Sequence, residues 1–153
     1  MIARQLRAIG PLPATATIVV PVVLVAVYGA EVRWWGVASG VPPIAVGLSL
    51  LYRTIALFAR VGEGTLAPWD PPRKLVVEGP YRRWRHPMIS GVALVLLGES
   101  ALLGSTAMLV WFAAFVVVNA VYLPLVEEPR LVRRFGDDYR RYMREVPRFL
   151  PRI

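Results

Sequence analysis

The residues able to do chemistry fall into two short stretches. Leu75 to Gly91 reads LVVEGPYRRWRHPMISG and contains His86, the one histidine of the chain. Glu78-Gly79-Pro80 signals a turn. His86-Pro87 then opens a helix, since proline is tolerated at a first helical position. The free amides and positive dipole of such a helix end favour an anion beside His86. Tyr81 and Trp84 add aromatic faces that can meet a cation. The same arginines and aromatics also suit an interfacial anchor ahead of a membrane helix, and composition alone leaves both readings open. The second stretch, Leu125 to Pro151, reads LVEEPRLVRRFGDDYRRYMREVPRFLP. Glu127 and Glu128 stand where an apolar run ends, and carboxylates near hydrocarbon are costly unless paired. A lone histidine with no cysteine in the chain offers no metal site, no disulfide and no thiol nucleophile.

The elements that must position these residues are membrane helices. Of 153 residues, 56% are hydrophobic and 18% charged, against about 45–50% and about 25% in soluble domains. The apolar residues form four runs: Ala14 to Ala30, closed by Trp34 and Trp35; Val37 to Ala59, interrupted by Arg53; Met88 to Leu103, with Glu99 inside; and Thr106 to Val126, without charge. Each approaches the roughly 20 residues needed to cross a hydrocarbon core. Gly104 and Ser105 alone separate the last two runs, which predicts a tight antiparallel hairpin. Arg53 is placed to snorkel to the nearer interface or to contact a ligand. The first run lacks a cleavage site and precedes further membrane segments, so it reads as a span and not as a signal peptide.

The net charge of +8 is distributed unevenly. Arg4 and Arg7 precede the first run. Arg60, Arg73, Lys74, Arg82, Arg83 and Arg85 lie between the second and third, and eight arginines from Arg130 to Arg152 follow the fourth. Only Arg33 falls on the other side of an even-numbered bundle. This positive-inside bias puts both termini and the middle loop in the cytoplasm of a bacterial-type membrane. Basic residues beside anionic lipid call for no nucleic acid. In the tail, Leu131, Phe135, Tyr139, Tyr142 and Val146 recur every three or four residues, the stripe of an amphipathic helix able to lie on lipid. The expected fold is all-α and integral to the membrane, with about four transmembrane helices and a cytoplasmic amphipathic C-terminal helix. It is one domain: residues 1–60 hold two N-terminal spans, 61–87 a cytoplasmic loop, 88–126 a helical hairpin and 127–153 a tail helix.

Together the two stretches resemble the isoprenylcysteine carboxyl methyltransferases and their wider relatives, the phospholipid methyltransferases. Those proteins carry GxY…RHPxYxG before a membrane helix, a helical hairpin, then EExxL…FGxxYxxY…VPR. This chain has GPYRRWRHPMISG at Gly79 to Gly91 and EEPRLVRRFGDDYRRYMREVPRFLP at Glu127 to Pro151. The resemblance implies S-adenosylmethionine as methyl donor and a lipophilic, membrane-borne acceptor. It implies a donor site formed by Arg73, Lys74, Leu75, Val76, Tyr81, His86, Pro87, Met88 and Ile89 with Glu127 and Glu128, and gives His86 and Glu127 the roles nearest the chemistry. Methyl transfer asks for alignment and dryness more than for acid–base groups.

Two positions depart from the pattern. Ile89 replaces the usual tyrosine of RHPxYxG. Leu123 stands one helical turn before Glu127, where the prenylcysteine enzymes carry an arginine for the substrate carboxylate. The donor site is therefore expected to be retained and the acceptor site changed, toward a neutral or cationic amphiphile. Isoprenylcysteine carboxyl methylation proper, a nicotinamide-dependent enzyme resembling the steroid 5-alpha-reductases, and a non-catalytic membrane interaction protein are the alternatives.

Overall fold

The computed structural model describes residues 11–61 and 74–149, and every regular element among them is helical. Helix α1 covers residues 11–28. Its middle, Thr15–Val19, is wound as a π turn, and the Val20 amide bonds to the Thr15 carbonyl. The next amide along would belong to Pro21, which has none. The Ala16 carbonyl is instead taken by the indole of Trp111 at 3.0 Å. Helix α1 ends at Gly29, whose φ of 76° suits glycine.

Helix α2, Trp34–Val61, is 28 residues long and continues through Pro42 and Pro43. Trp34 and Trp35 begin this helix and do not close the preceding one. Helix α3, Pro87–Leu103, starts at the expected proline with His86 as its cap and ends at left-handed Gly104. Ser105 caps helix α4, Thr106–Tyr122, so the α3–α4 hairpin forms at the two residues the sequence indicates. A second π turn, Leu123–Glu127, carries α4 without a break into α5, Glu128–Phe135.

The closest packing lies between α2 and α3. A Cβ built on Gly40 would sit 2.5 Å from the Gly98 carbonyl oxygen, and one on Gly47 would sit 2.6 Å from that of Gly91. The obstacles are backbone atoms and cannot rotate away. Small residues at matched heights let two helices touch along their backbones, a contact that needs no hydrophobic driving force and therefore holds inside lipid. Val92, Val95 and Leu96 are buried in the adjoining side-chain layer.

The outer surface is apolar. Val110, Val117 and Val118 are each 62% exposed, an arrangement that water disfavours and lipid does not. Two helices are long and apolar enough to cross a membrane, Trp34–Phe58 and Thr106–Phe135. Only 17% and 6% of their most apolar windows are buried, unlike the core helix of a soluble protein. The other two apolar helices are shorter: Thr15–Tyr28 and the 17-residue α3, the latter about 26 Å long at 1.5 Å per residue.

The tail departs from expectation. In place of one amphipathic helix there are two, because Gly136 breaks the chain at φ 59°, ψ −130° before helix α6, Asp137–Glu145. The stripe survives the break but faces protein. Tyr139, Tyr142 and Val146 form a buried cluster packed by Leu75, Leu131, Val132, Phe135 and Met143.

Gly40→Ala should therefore destabilise the protein by about 1–3 kcal/mol through overpacking, seen as a lower melting temperature in detergent. Ala38→Val, on an exposed face of the same helix, should change it by less than about 0.5 kcal/mol.

Candidate functional site

The two motif stretches meet at the ends of α3 and α4. Their meeting point is Glu128, which is only 5% exposed. Arg148 donates to it through two nitrogens, Nε to Oε1 at 2.9 Å and Nη2 to Oε2 at 2.7 Å. Arg85 Nη1 donates to Oε1 at 2.7 Å, and His86 Nε2 lies 3.3 Å from the same oxygen. A carboxylate only accepts, so the His86 proton sits on Nε2 and leaves the Nδ1 lone pair available. Burial holds His86 below its ordinary pKa; the Glu128 hydrogen bond opposes this, and the nearby Arg85 and Arg148 charges reinforce it. The imidazole is thus neutral, and the charge pairing comes from the two arginines, buried Arg85 and the bidentate but more exposed Arg148.

Backbone bonds lock the same parts together. The Arg85 amide bonds to the Pro147 carbonyl at 2.9 Å, and the Tyr142 hydroxyl donates to the Tyr81 carbonyl at 2.6 Å. The Tyr81 ring meets Phe58 of α2 edge-on, with centroids 5.4 Å apart. The turn ahead of α3 is therefore held by α2 on one side and α6 on the other.

Glu127 behaves differently from its neighbour. It is half-buried and, among the described residues, makes no ion pair. Consecutive helical residues point about 100° apart, so the inward turn of Glu128 sends Glu127 sideways, near enough to Tyr81 and Tyr139 for its charge to act on both phenols. Tyr139 is buried, and its pKa is pushed up to about 12 by that burial and by Glu128. Its hydroxyl and the Nε of Arg85 are buried and make no hydrogen bond of good geometry among the described residues. The two groups lie close together, and the Arg85 side chain, in a looser hydrogen bond to the phenol, opposes part of that rise.

Of the other expected site residues, Val76 and Pro87 are buried, Leu75, Met88 and Ile89 are half-buried, and Lys74 is exposed. Arg73 lies outside the described residues. Leu75, Arg82, Asp138, Arg141 and Glu145 border a polar cavity of about 550 Å³ between the segment before α3 and α6. Leu123 is 3% exposed inside the π turn. The sequence reading did not single out Arg85, Arg148 and Tyr139. The available signal was the acid pair itself, because a buried carboxylate requires cations and the arginines of RHP and VPR are the nearest in the motifs.

Removing one partner of a buried ion cluster strands the rest, so Glu128→Ala should lower stability by about 3–5 kcal/mol, with Arg85 dominating since Arg148 is 35% exposed. The pH response follows from His86. The unfolded imidazole binds a proton near pH 6.5 and the folded one only at lower pH. Stability is therefore flat above about 6.5 and falls as the solution is acidified toward the folded pKa. His86→Gln should reduce that acid slope in melting curves recorded between about pH 5 and pH 8.

The sequence pattern of the family described as phospholipid methyltransferase matches residues 35–138. The match takes in α2 through α5, the His86 turn and both glutamates. No curated protein sequence matches the chain at a significant level. With the matched stretch covering more than half of its length and containing the junction at Glu128, the chain belongs to the phospholipid methyltransferase family.

Proposed function

We propose that the protein transfers a methyl group from S-adenosylmethionine to a lipophilic acceptor held in the membrane, at the cytoplasmic face. The observation that carries this reading is the unequal pair of acids. Glu128 is neutralised by arginines, while Glu127 makes no ion pair among the described residues and lies near two phenols, with the Arg130 charge acting on it from one side.

That set suits a zwitterion carrying an additional cation. Arg82 and Arg141, which border the cavity between the segment before α3 and α6, offer hydrogen bonds to a carboxylate. Glu127 offers its charge to an ammonium or its oxygens to hydroxyls. Tyr81 presents an aromatic wall, and Leu75 and Val76 supply backbone groups and apolar side chains beside it. Bound there, S-adenosylmethionine supplies an electrophilic methyl on a sulfonium. The chain's own residues then do three things. They hold the acceptor atom in line, which is worth up to about 7–11 kcal/mol of barrier. They keep water out through the Tyr139, Tyr142 and Val146 cluster. They offer the Nδ1 of neutral His86 as an acceptor for a proton released nearby. His86 is chiefly a positioning residue, because its other nitrogen is committed to Glu128.

The reading includes four spans, with α1 and α3 completing the bundle and both termini cytoplasmic, as the arginine distribution favours. It also favours an acceptor without a carboxylate, because at the position where the prenylcysteine enzymes have arginine this chain has buried Leu123, which offers a carboxylate no partner there.

S-adenosylhomocysteine should bind the detergent-purified protein in calorimetry, and Glu127→Gln should weaken it at least tenfold while leaving the melting temperature unchanged. A nicotinamide dinucleotide should not bind. With radiolabelled donor, label should enter membrane lipid extract and not a farnesylated cysteine analogue. Label found in the analogue alone would return the protein to carboxyl methylation, and undiminished affinity in Glu127→Gln would remove that residue from the donor site.

A further inference from the structure

A second space opens on the opposite side of the His86 turn. It is a groove of about 780 Å³ between α2, α3 and α4. Ala45, Ser49 and Arg53 contribute one face of α2 at four-residue intervals, and Ala93 and Leu97 contribute the facing stripe of α3. From Ala45 to Arg53 the wall runs about 12 Å at 1.5 Å per residue. Val46 and Leu97 line it and remain exposed, so one flank is open toward the surroundings of the helices. The lining is mostly apolar, with Ser49 part-way along it and Arg53, Trp84 and Ser90 gathered at one end. That end adjoins the start of α3, and the other lies deeper along both helices.

Among the described residues Arg53 is the only charged one on the groove, and it makes no ion pair with any of them. An arginine near hydrocarbon with no counter-ion from the protein attracts one from elsewhere. Its planar fork matches a phosphate with two parallel hydrogen bonds. Among the described residues no carboxylate lines the groove to compete. The wall is also coupled directly to the site above. The Trp84 indole donates to Ser90 Oγ at 3.1 Å, and Ser90 Oγ donates to the His86 carbonyl at 3.2 Å. A headgroup held at Arg53 and Trp84 is thus one hydrogen-bonded layer away from His86.

We propose that this groove is the acceptor's seat: a phospholipid lays one acyl chain along α2 and α3, and Arg53 binds its phosphate and selects it over amphiphiles that lack one. This inference rests on the lipid-methyltransferase reading and adds to it the residue that recognises the acceptor. Snorkelling of Arg53 without a ligand is the competing account, and it assigns the side chain no preference between lipids.

The test uses the full chain, stripped of lipid in a non-ionic detergent. Binding of a short-chain phosphatidylethanolamine is measured against a diacylglycerol of the same chain length. Wild type should prefer the phospholipid at least tenfold. Arg53→Gln should erase the preference, and Arg53→Lys should restore most of it. Ala93→Phe, which fills the groove, should weaken both lipids together. None of the three should change the affinity for S-adenosylhomocysteine, which also reports that each variant is folded. Equal binding of the two lipids by wild type, or an undiminished preference in Arg53→Gln, would overturn the proposal. Failure of the donor to bind while the lipid preference follows Arg53 would instead refute the methyl-transfer reading and leave the phosphate seat standing.

Discussion

A carboxylate taken out of water at the end of an apolar helix organises one end of this protein. Left alone, Glu128 would cost several kcal/mol to bury, and the chain around it is arranged so that it is never alone. Arg85 reaches it from the turn before α3, and Arg148 reaches it from beyond α6. Three stretches far apart in sequence are thereby pinned to one atom group: the entry to α3, the join of α4 and α5, and the last described residues. The Tyr142–Tyr81 hydrogen bond and the aromatic cluster of α6 repeat the same connections with neutral groups. Replacing the ion cluster by apolar side chains of similar volume could be equally stable. What such a core would lack is direction, since the arginine fork and the imidazole accept only one orientation of the carboxylate.

That orientation decides what Glu127 can do. Pro124 removes an amide from the helix, and the chain answers with a π turn in which the Glu128 amide bonds to the Leu123 carbonyl. π turns recur at functional sites because they rotate the following residues relative to the preceding helix. Here the rotation delivers Glu128 to the arginines and leaves Glu127 on the flank, near Tyr81 and Tyr139. Two identical side chains side by side thus acquire opposite circumstances, one consumed by structure and one available.

Much of the fold was legible because it depends on local chemistry. Pro87 and the Gly104-Ser105 pair marked both ends of α3, and the apolar runs marked the long helices. The tail stripe was also visible, but its periodicity carries no information about what covers it, and Leu75 covers it from a segment some sixty residues earlier. The break at Gly136 leaves no trace in the apolar pattern, because the three- and four-residue spacing continues across it. At the site, motif position singled out Glu127 and Glu128 together and ranked the second below the first. Which acid turns inward depends on the helical register after Pro124, a property of the folded backbone. Trp34 and Trp35 were read as closing one helix when they open the next, since interfacial aromatics serve either end equally well.

The packing of α2 on α3 has a consequence for the site some distance away. Glycine contacts fix the two helices at a separation no side chain could maintain, and that separation also sets the height at which α3 begins relative to α2. The His86 turn inherits its position from this contact, with Phe58 of α2 against Tyr81 as the last point of register. Beside these glycines, the two helices place the small residues Ala45, Ser49 and Ala93 along the groove. One structural device therefore does two jobs: backbone contact holds the frame rigid where the glycines meet, and small side chains just beside it leave space for a chain of hydrocarbon. The polar cluster at Glu128 and the apolar groove share the first turn of α3 as a common wall. On one side it offers buried hydrogen-bonding groups, and on the other it offers apolar surface. A reaction between a water-soluble donor and a membrane-bound acceptor requires such a partition, because neither partner gains by entering the other's solvent.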